Sequence, residues 1–483
     1  MNIGTSETLY ESVAGKIESL IEQEVLQPGD KVPSVRKLSS EQGVSLSTAF
    51  QAYFLLENKG LIESKPRSGF YVKFAKSKLP PQPQLIFPKH SPSLLNVNEM
   101  ISKVLKEARN EKNISLAVAS PHYSLLPVAQ LNKAITQTIR KGKGEYLNYD
   151  FPPGHERLRR QIARRSFDWG GNLHSDDIII TFGCMEALNL CLRAVASPGD
   201  TIAIESPTYY GILQAIESLG MKAMEIATHP ETGVDLDDLE KALNKTKVTA
   251  CLFVTNFNNP LGSCMPVKNK RKLVNLLAHR EIPLIEDDLY GDLFLGKSRP
   301  VNAKAFDKKG LVLLCSSFSK SLAPGFRVGW TSPGRFKEKI ERLKFMTTVA
   351  TSTLNQMAIA HFLENGSYDR HLRKIRTAFN NQISLTTQAI VKYFPPETKI
   401  TRPSGGFVLW VELPGNVDAM ELHEAARAKH ISIAPGPIFS TKNQYNNFIR
   451  ISCGLPWSEK IEEAIKEIGK LIITLSNHQL SYL

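Results

Sequence analysis

Residues 317–330 read Ser-Phe-Ser-Lys-Ser-Leu-Ala-Pro-Gly-Phe-Arg-Val-Gly-Trp. They follow the apolar run 311–316, which has the pattern of a buried strand, and Lys320 shares the stretch with only one other basic residue, Arg327. A lone lysine is ordinarily a solvated surface group. One placed in a cleft loses charge stabilisation, its amine pKa falls, and it can attack an aldehyde. Ser317 and Arg327 flank it with a hydroxyl and a guanidinium, groups that hold a phosphate. The stretch therefore puts an amine nucleophile beside an anion holder at the end of a strand.

Working outward, short apolar runs bounded by polar or turn residues recur at 178–181, 201–204, 223–226, 250–254, 283–286 and 311–316, with helical patterns such as 186–196 and 267–280 between them. Near-continuous apolar strands alternating with helices predict a mostly parallel sheet covered on both faces. Ligands of such sheets bind at the strand ends, and polar groups gather there. Glu286-Asp287-Asp288-Leu289-Tyr290 ends one strand, and Asn256-Phe257-Asn258-Asn259-Pro260-Leu261-Gly262 follows another as a turn. Thr181-Phe182-Gly183-Cys184-Met185-Glu186-Ala187 sets a glycine between strand and helix, where free N–H groups suit a phosphate. Glu205-Ser206-Pro207-Thr208-Tyr209-Tyr210 brings two aromatic rings to a strand end. Phe448-Ile449-Arg450-Ile451-Ser452 buries an arginine in an apolar strand, and a buried arginine needs an anionic partner.

Residues 1–74 follow a different pattern. Val13, Ile17, Leu20 and Ile21 share one face of a first helix. Ser34 can cap a second helix that runs to about Glu41, Gly43 permits a tight turn, and Ser45 can cap a third. Ala49, Tyr53 and Leu56 face inward on this third helix, while Ser47, Thr48 and Gln51 face elsewhere. LIESKPRSGFYV, residues 61–72, then reads as a β-hairpin with Arg67-Ser68-Gly69 at or near its tip. Two short helices across a glycine turn, followed by a basic hairpin, make a winged helix-turn-helix whose helix from Ser45 enters the DNA major groove.

Between the two zones, residues 75–95 (AKSKLPPQPQLIFPKHSPSLL) are rich in Pro, Lys, Gln and Ser, the composition of an extended linker. The chain of 483 residues carries a formal charge of +13, part of it concentrated at Lys59, Lys65, Arg67, Lys73, Lys76, Lys78 and Lys89. Such a run either attracts phosphate backbones or is a solvated linker. The six cysteines form no CxxC pair, which excludes a disulfide frame or a zinc site and predicts free thiols in a reducing compartment. No metal site is expected. The opening MNIGTSETLY lacks the pattern of a signal peptide, and no run of about 18 apolar residues suggests a membrane span. The expected location is cytoplasmic. The expected domains are a reader over 1–74, a linker over 75–112, and a large α/β domain over 113–483 with a small C-terminal α+β subdomain from about 375.

Two resemblances sharpen these expectations. Residues 28–72 follow the pattern of the GntR family of regulators almost throughout. In that family the positions matching Arg36, Ser45, Ser47, Thr48 and the hairpin, with Lys65 and Arg67, contact DNA. Relatives often carry arginine where this chain has Leu46. The 317–330 stretch resembles the lysine signature of class I and II aminotransferases, enzymes of the fold-type I group dependent on pyridoxal 5′-phosphate (PLP). The resemblance implies that Lys320 joins PLP as a Schiff base and that Ser317, Arg327 and the backbone of Gly183, Cys184 and Met185 hold its phosphate. It implies that Asp287 faces the pyridine nitrogen, with Asp288 the other candidate. Tyr290 and Asn259 would reach the ring 3′-oxygen, and Tyr209 would stack on the ring, with Tyr210 packing. Arg450 would bind an amino acid α-carboxylate.

The segment Tyr149-Asp150-Phe151-Pro152-Pro153-Gly154 with Leu158-Arg159 is similar to one whose tyrosine reaches the phosphate of a neighbouring subunit, which implies a homodimer with shared sites. Ser404-Gly405-Gly406-Phe407 and Ala434-Pro435-Gly436 follow the small-subdomain pattern. A GntR-like reader in front of such a domain resembles the MocR subfamily. The implied role is a transcription regulator that binds double-stranded operator DNA and senses PLP or an amino acid aldimine. The alternative is an active aminotransferase, converting amino acid to 2-oxo acid, that carries a DNA-binding domain.

Overall fold

The structure, a computed structural model, describes residues 8–23, 25–26, 29–58, 61–65, 68–72, 79–93, 98–108, 113–442 and 444–480. It divides into two units, Met1–Pro80 and Pro81–Leu483.

In the first unit, Thr8 and Glu11 close a capping box at the start of helix α1 (Leu9–Glu22). Helix α2 (Val35–Gln42) is capped by Ser34, whose side chain accepts from the Lys37 N–H at 3.2 Å. It stops at Gly43, which adopts the left-handed φ of 62° that a side chain would strain. Ser45 then opens helix α3 (Leu46–Asn58) by accepting from the Thr48 N–H at 3.1 Å. Strands β1 (Ile62–Lys65) and β2 (Gly69–Val72) pair antiparallel, Ile62 opposite Val72 and Lys65 opposite Gly69. Val13, Ala14, Ile17, Leu38, Ala49, Tyr53, Leu56, Ile62 and Val72 form the core between helices and hairpin. The Tyr53 hydroxyl donates to the Pro33 carbonyl at 2.5 Å, so the buried phenol is satisfied and ties α3 to the entrance of α2. Helix, turn, helix and hairpin lie where the sequence pattern put them.

The second unit is built on an eight-stranded sheet. Its strands run, edge to edge, Ile179–Thr181, Gly329–Ser332, Val312–Ser317, Leu284–Asp287, Ala250–Phe253, Thr201–Ser206, Lys222–His229 and Gly233–Val234. The five strands from Val312–Ser317 to Lys222–His229 are mutually parallel. Gly329–Ser332 lies antiparallel between Ile179–Thr181 and Val312–Ser317, pairing Gly329 with both Thr181 and Ser317. Residues 312–317 and 284–287 are buried throughout, which explains why they open as apolar runs without polar alternation before Ser316, Ser317, Glu286 and Asp287 at their carboxyl ends. A second, four-stranded antiparallel sheet orders Lys399–Ile400, Val408–Glu412, Phe448–Ser452 and Ala434–Pro435. It is covered by helices Ser367–Tyr393 and Glu459–Leu480, whose apolar faces share its core. All six cysteines are free thiols, five of them buried.

Residues 81–93 and 98–108 belong to this unit. The Ile400 N–H donates to the Pro81 carbonyl at 2.9 Å, and Ser93 bridges Ala223 on the edge of the large sheet. Ile101 and Val104 of the helix Asn98–Ala108 are buried in its core. Much of the stretch expected to be a linker therefore lies packed. No helix among the described residues is long and apolar enough to cross a membrane.

Candidate functional site

The strand Val312–Ser317 delivers Lys320 to the wall of a cavity of about 250 Å³ at the carboxyl ends of the parallel strands. Cys184, Met185, Tyr209, Asn259, Asp287, Tyr290 and Arg327, from five different segments, line the same space. The Lys320 amine donates to the Ala119 carbonyl at 2.5 Å. Burial, with the Arg450 and Arg327 guanidinium groups nearby, brings its pKa from 10.5 down to about 8. Asp287 ends the neighbouring strand, paired with Cys315. Its carboxylate accepts from the Leu289 N–H at 3.0 Å and from the Cys184 thiol at 3.5 Å. Desolvation still pushes its pKa up to about 7. Asp288 points elsewhere, accepting from Asn256 Nδ2 at 2.9 Å and pairing with Arg299, so of the two candidates only Asp287 faces the cavity.

Tyr290 is buried, its pKa raised by desolvation, with the Asn259 side chain as a hydrogen-bond partner. Tyr209 and Tyr210 lie with ring centroids 4.5 Å apart. Tyr210 is the more buried, packing on Phe439 at 5.8 Å, and Tyr209 is the partly exposed ring.

One end of the cavity is shaped for an anion. The helix Cys184–Val195 starts at Gly183 with no side-chain cap, so its first N–H groups are left for another acceptor. Gly183 has φ 78° and ψ 175°, a region essentially restricted to glycine, and a Cβ there would stand 2.5 Å from Arg327 Nη2. Arg327 is itself held at φ 53° and donates to Ser319 Oγ at 3.3 Å and to the Phe182 carbonyl at 3.4 Å. Ser317 stands behind: its hydroxyl donates to the Val328 carbonyl at 2.9 Å and contacts Ser319 Oγ at 2.9 Å. Ser319, which the sequence reading passed over, lines the cavity. Its place two residues from Ser317, next to Lys320, was the only signal available.

Arg450, fully buried, donates to Asn259 Oδ1 at 3.0 Å and to the Ala117 carbonyl, while its Nε lacks a partner. A buried guanidinium with a donor to spare suits a carboxylate. Tyr149 does not join these groups. It is 74% exposed and lies against Phe151 at 5.6 Å, outside the cavity.

Sequence reasoning also missed the floor of the site. Ala117 and Ala119 hold Arg450 and Lys320 through backbone carbonyls, and LAVAS carries no motif that could have announced them. Behind Lys320, the Tyr368 hydroxyl contacts Ser321 Oγ at 2.7 Å and Asp292 Oδ2 at 2.8 Å, and Asp292 pairs with Arg299 at 2.7 Å.

In the first unit, Arg36, Ser45 and Ser47 are exposed and Thr48 half-buried. Ser45 and Thr48 hydroxyls contact each other at 2.8 Å at the start of α3. Lys65 ends β1, its side chain outside the described residues, as is the whole of Arg67.

Comparison with known proteins agrees with both units. The model of aminotransferase class I and II matches residues 112–468, and that of bacterial regulatory proteins, gntR family, matches residues 9–72. The uncharacterized HTH-type transcriptional regulator YdcR of Escherichia coli (strain K12) is 41% identical over 96% of this chain and 98% of its own. Among solved structures, kynurenine aminotransferase of Pyrococcus horikoshii, in complex with PMP, superposes with a TM-score of 0.73 at 29% identity, covering 78% of this chain and 94% of that one. The α-aminoadipate aminotransferase LysN of Thermus thermophilus, complexed with N-(5′-phosphopyridoxyl)-L-leucine, gives 0.71 at 26% identity over 79% of this chain and all of that one. The chain is a gntR-type helix-turn-helix domain joined to an aminotransferase domain of the PLP fold-type I class, and so belongs to the aminotransferase class I and II family and, within the GntR regulators, to the MocR type.

Proposed function

We propose that this protein is a transcription regulator that binds double-stranded operator DNA through residues 1–74 and senses PLP, or an amino acid joined to PLP, in the cavity around Lys320. The observation that carries the reading is the cavity itself: an amine of lowered pKa, a buried carboxyl and an uncapped helix start beside a guanidinium, in a chain that also holds a DNA-reading domain.

The residues fit PLP. Bound there, PLP supplies an aldehyde for amines to condense with and a ring that withdraws electrons. Lys320, near 8, keeps a useful share of neutral amine at physiological pH for attack on the aldehyde. Asp287 would hold the proton of the ring nitrogen, and its high pKa without a ring reflects a buried acid awaiting a cationic partner. Gly183, Cys184 and Met185 offer N–H groups to the phosphate, joined by Arg327 and by Ser319, with Ser317 steadying Ser319. Tyr290 and Asn259 would orient the 3′-oxygen and Tyr209 would cover the ring. Arg450 would clamp the α-carboxylate of an incoming amino acid, or of another amine effector that carries one. In the reader, Arg36, Ser45, Ser47, Thr48, Lys65 and Arg67 would contact the duplex.

The effector competes with Lys320 and acts on transcription by favouring one arrangement of a homodimer over another. Tyr149 would complete the partner's site. The domain limits we propose are 1–74, a connecting segment over 75–112 and 113–483, with a cytoplasmic location. A second reading, turnover as an aminotransferase, is favoured by one observation: Lys320, Asp287, Tyr290 and Arg450 all converge. There Lys320, released by the amino acid, would move the α-proton as general base.

A visible spectrum of the purified protein tests the first step. PLP is expected to give an absorbance band that shifts on titration with the effector amino acid and is altered in Lys320→Ala. A colourless protein that stays colourless with PLP overturns the reading. Release of 2-oxo acid over many turnovers would decide for the enzyme. Retained DNA binding by the double variant Arg36→Ala/Thr48→Ala would remove those residues from the reading surface.

A further inference from the structure

In a helix-turn-helix the second helix lies in the major groove, with its N-terminal residues at base edges. Here that helix is α3, whose thirteen residues LSTAFQAYFLLEN include no lysine and no arginine. Its exposed side carries an apolar stripe instead, next to Ser47 and Gln51. Leu46, Phe50 and Phe54 are 54%, 56% and 59% exposed and recur every four residues, so they form one stripe along the helix. Ala49, Ala52, Tyr53 and Leu56 already fill the inward face, so the stripe is no part of the reader's own core.

The major groove gives each base a distinct pattern. Guanine shows two acceptors, which arginine or lysine reads, and α3 has neither. Cytosine shows an amino donor, read by a carboxylate, and the one acid on α3, Glu57, lies near its far end and accepts from the Ser64 N–H at 3.0 Å. Thymine alone presents a methyl group. Adenine shows a donor and an acceptor side by side, which glutamine reads, and Gln51 is exposed next to Phe50. We infer that α3 recognises A·T pairs, with Leu46 and Phe50 packing on thymine 5-methyl groups. One helical turn separates these two side chains by about 6 Å along the axis, close to two base steps of roughly 3.4 Å. Phosphate contacts from basic residues outside α3 would position the helix without reading sequence.

This rests on the DNA-reading assignment, and the test separates the two. The full-length protein, saturated with PLP, is used to select duplexes from a random pool. Binding is then measured by fluorescence anisotropy at one fixed salt concentration, with uracil replacing thymine at the invariant positions. Uracil pairs normally and lacks only the methyl. Each replacement facing Leu46 or Phe50 is expected to weaken binding roughly four-fold, the weight of one methyl group leaving water. Leu46→Ala and Phe50→Ala should each abolish the sensitivity at one position, and Leu46→Arg should move that position towards guanine. Phe54→Ala should keep both sensitivities, because it lies a further turn from the helix start. If Phe54→Ala weakens binding as much as Phe50→Ala does, the stripe covers a protein surface and the inference fails. Equal affinity for thymine and uracil duplexes, or invariant guanines throughout, also overturns it. Failure to bind or select any duplex overturns the reader assignment instead.

Discussion

Lys320 and Asp287 approach neutral charge from opposite sides, the amine brought down to about 8 and the carboxyl raised to about 7. In the cofactor-free protein this has a defined sign. The unfolded chain keeps the lysine proton until near 10.5, whereas the folded chain releases it near 8, so this group adds stability as pH rises from about 8 to about 10. The unfolded aspartate loses its proton near 3.8 and the folded one near 7, so that group subtracts stability as pH rises from about 4 to about 7. Their combined effect is least favourable near neutrality. Lys320→Ala without PLP should therefore melt higher than the parent at pH 7.5, with the difference shrinking by pH 10. Thermal melts of both proteins across that range check it, and a constant difference would mean that the amine is not desolvated. At the phosphate end, Gly183→Ala forces a side chain into a glycine-only conformation against Arg327. A strain of about 1–3 kcal/mol should weaken PLP binding by about five-fold or more, read from absorbance titration.

At the scale of elements, the sequence disclosed what burial makes uniform and hid what depends on contact. The parallel strands were legible because both faces are covered and most positions are apolar, as in the VLLC that opens Val312–Ser317, with polar residues only toward the end that meets the site. Gly329–Ser332 was not, because four residues, GWTS, ending the lysine motif carry no periodicity that marks an antiparallel strand. The site residues at strand ends were legible through their motifs, while Ser319 and the Ala117 and Ala119 carbonyls act by position alone. Residues 81–93 show the same limit. Proline-rich composition announces an extended chain but says nothing of what it lies on. Here it touches both sheets' surroundings. Pro81 accepts from Ile400, Ser91 accepts from Lys442 at 3.1 Å, Ser93 reaches Thr441 at 3.1 Å, and Ser93 exchanges two backbone bonds with Ala223 at 3.0 and 3.2 Å. A free linker would exchange its amide hydrogens at the rate of an unfolded chain. The Ser93 amide should instead be protected at least roughly ten-fold in hydrogen-exchange mass spectrometry, as expected of a bonded, partly buried amide. Unprotected exchange there would return the segment to the linker that its composition suggests.

At the scale of the whole molecule, the residue that stands apart from its own chain's cavity is the informative one. Tyr149 lies outside the cavity, and with Leu147, Phe151, Phe345, Met346 and Val349 it belongs to a set of exposed apolar side chains between 38% and 78% accessible. Phe151 links Tyr149 to Phe345 at ring distances of 5.6 and 5.9 Å. Exposed apolar clusters of this kind mark interaction surfaces. If a second copy covers them, its Tyr149 serves the first copy's cofactor, and each site needs Lys320 from one chain and Tyr149 from the other. Two defective variants then test the arrangement together. A Lys320→Ala homodimer has no reactive amine, and a Tyr149→Phe homodimer lacks the phosphate contact at both sites. In a mixed dimer, the chain that keeps Lys320 receives Tyr149 from its Lys320→Ala partner, giving one intact site. Random pairing makes half the dimers mixed, so about one quarter of all sites should regain parental PLP affinity in co-expressed protein. Were the tyrosine to act within its own chain, no chain would carry both groups, and the mixture would bind PLP no better than the average of the two variants alone.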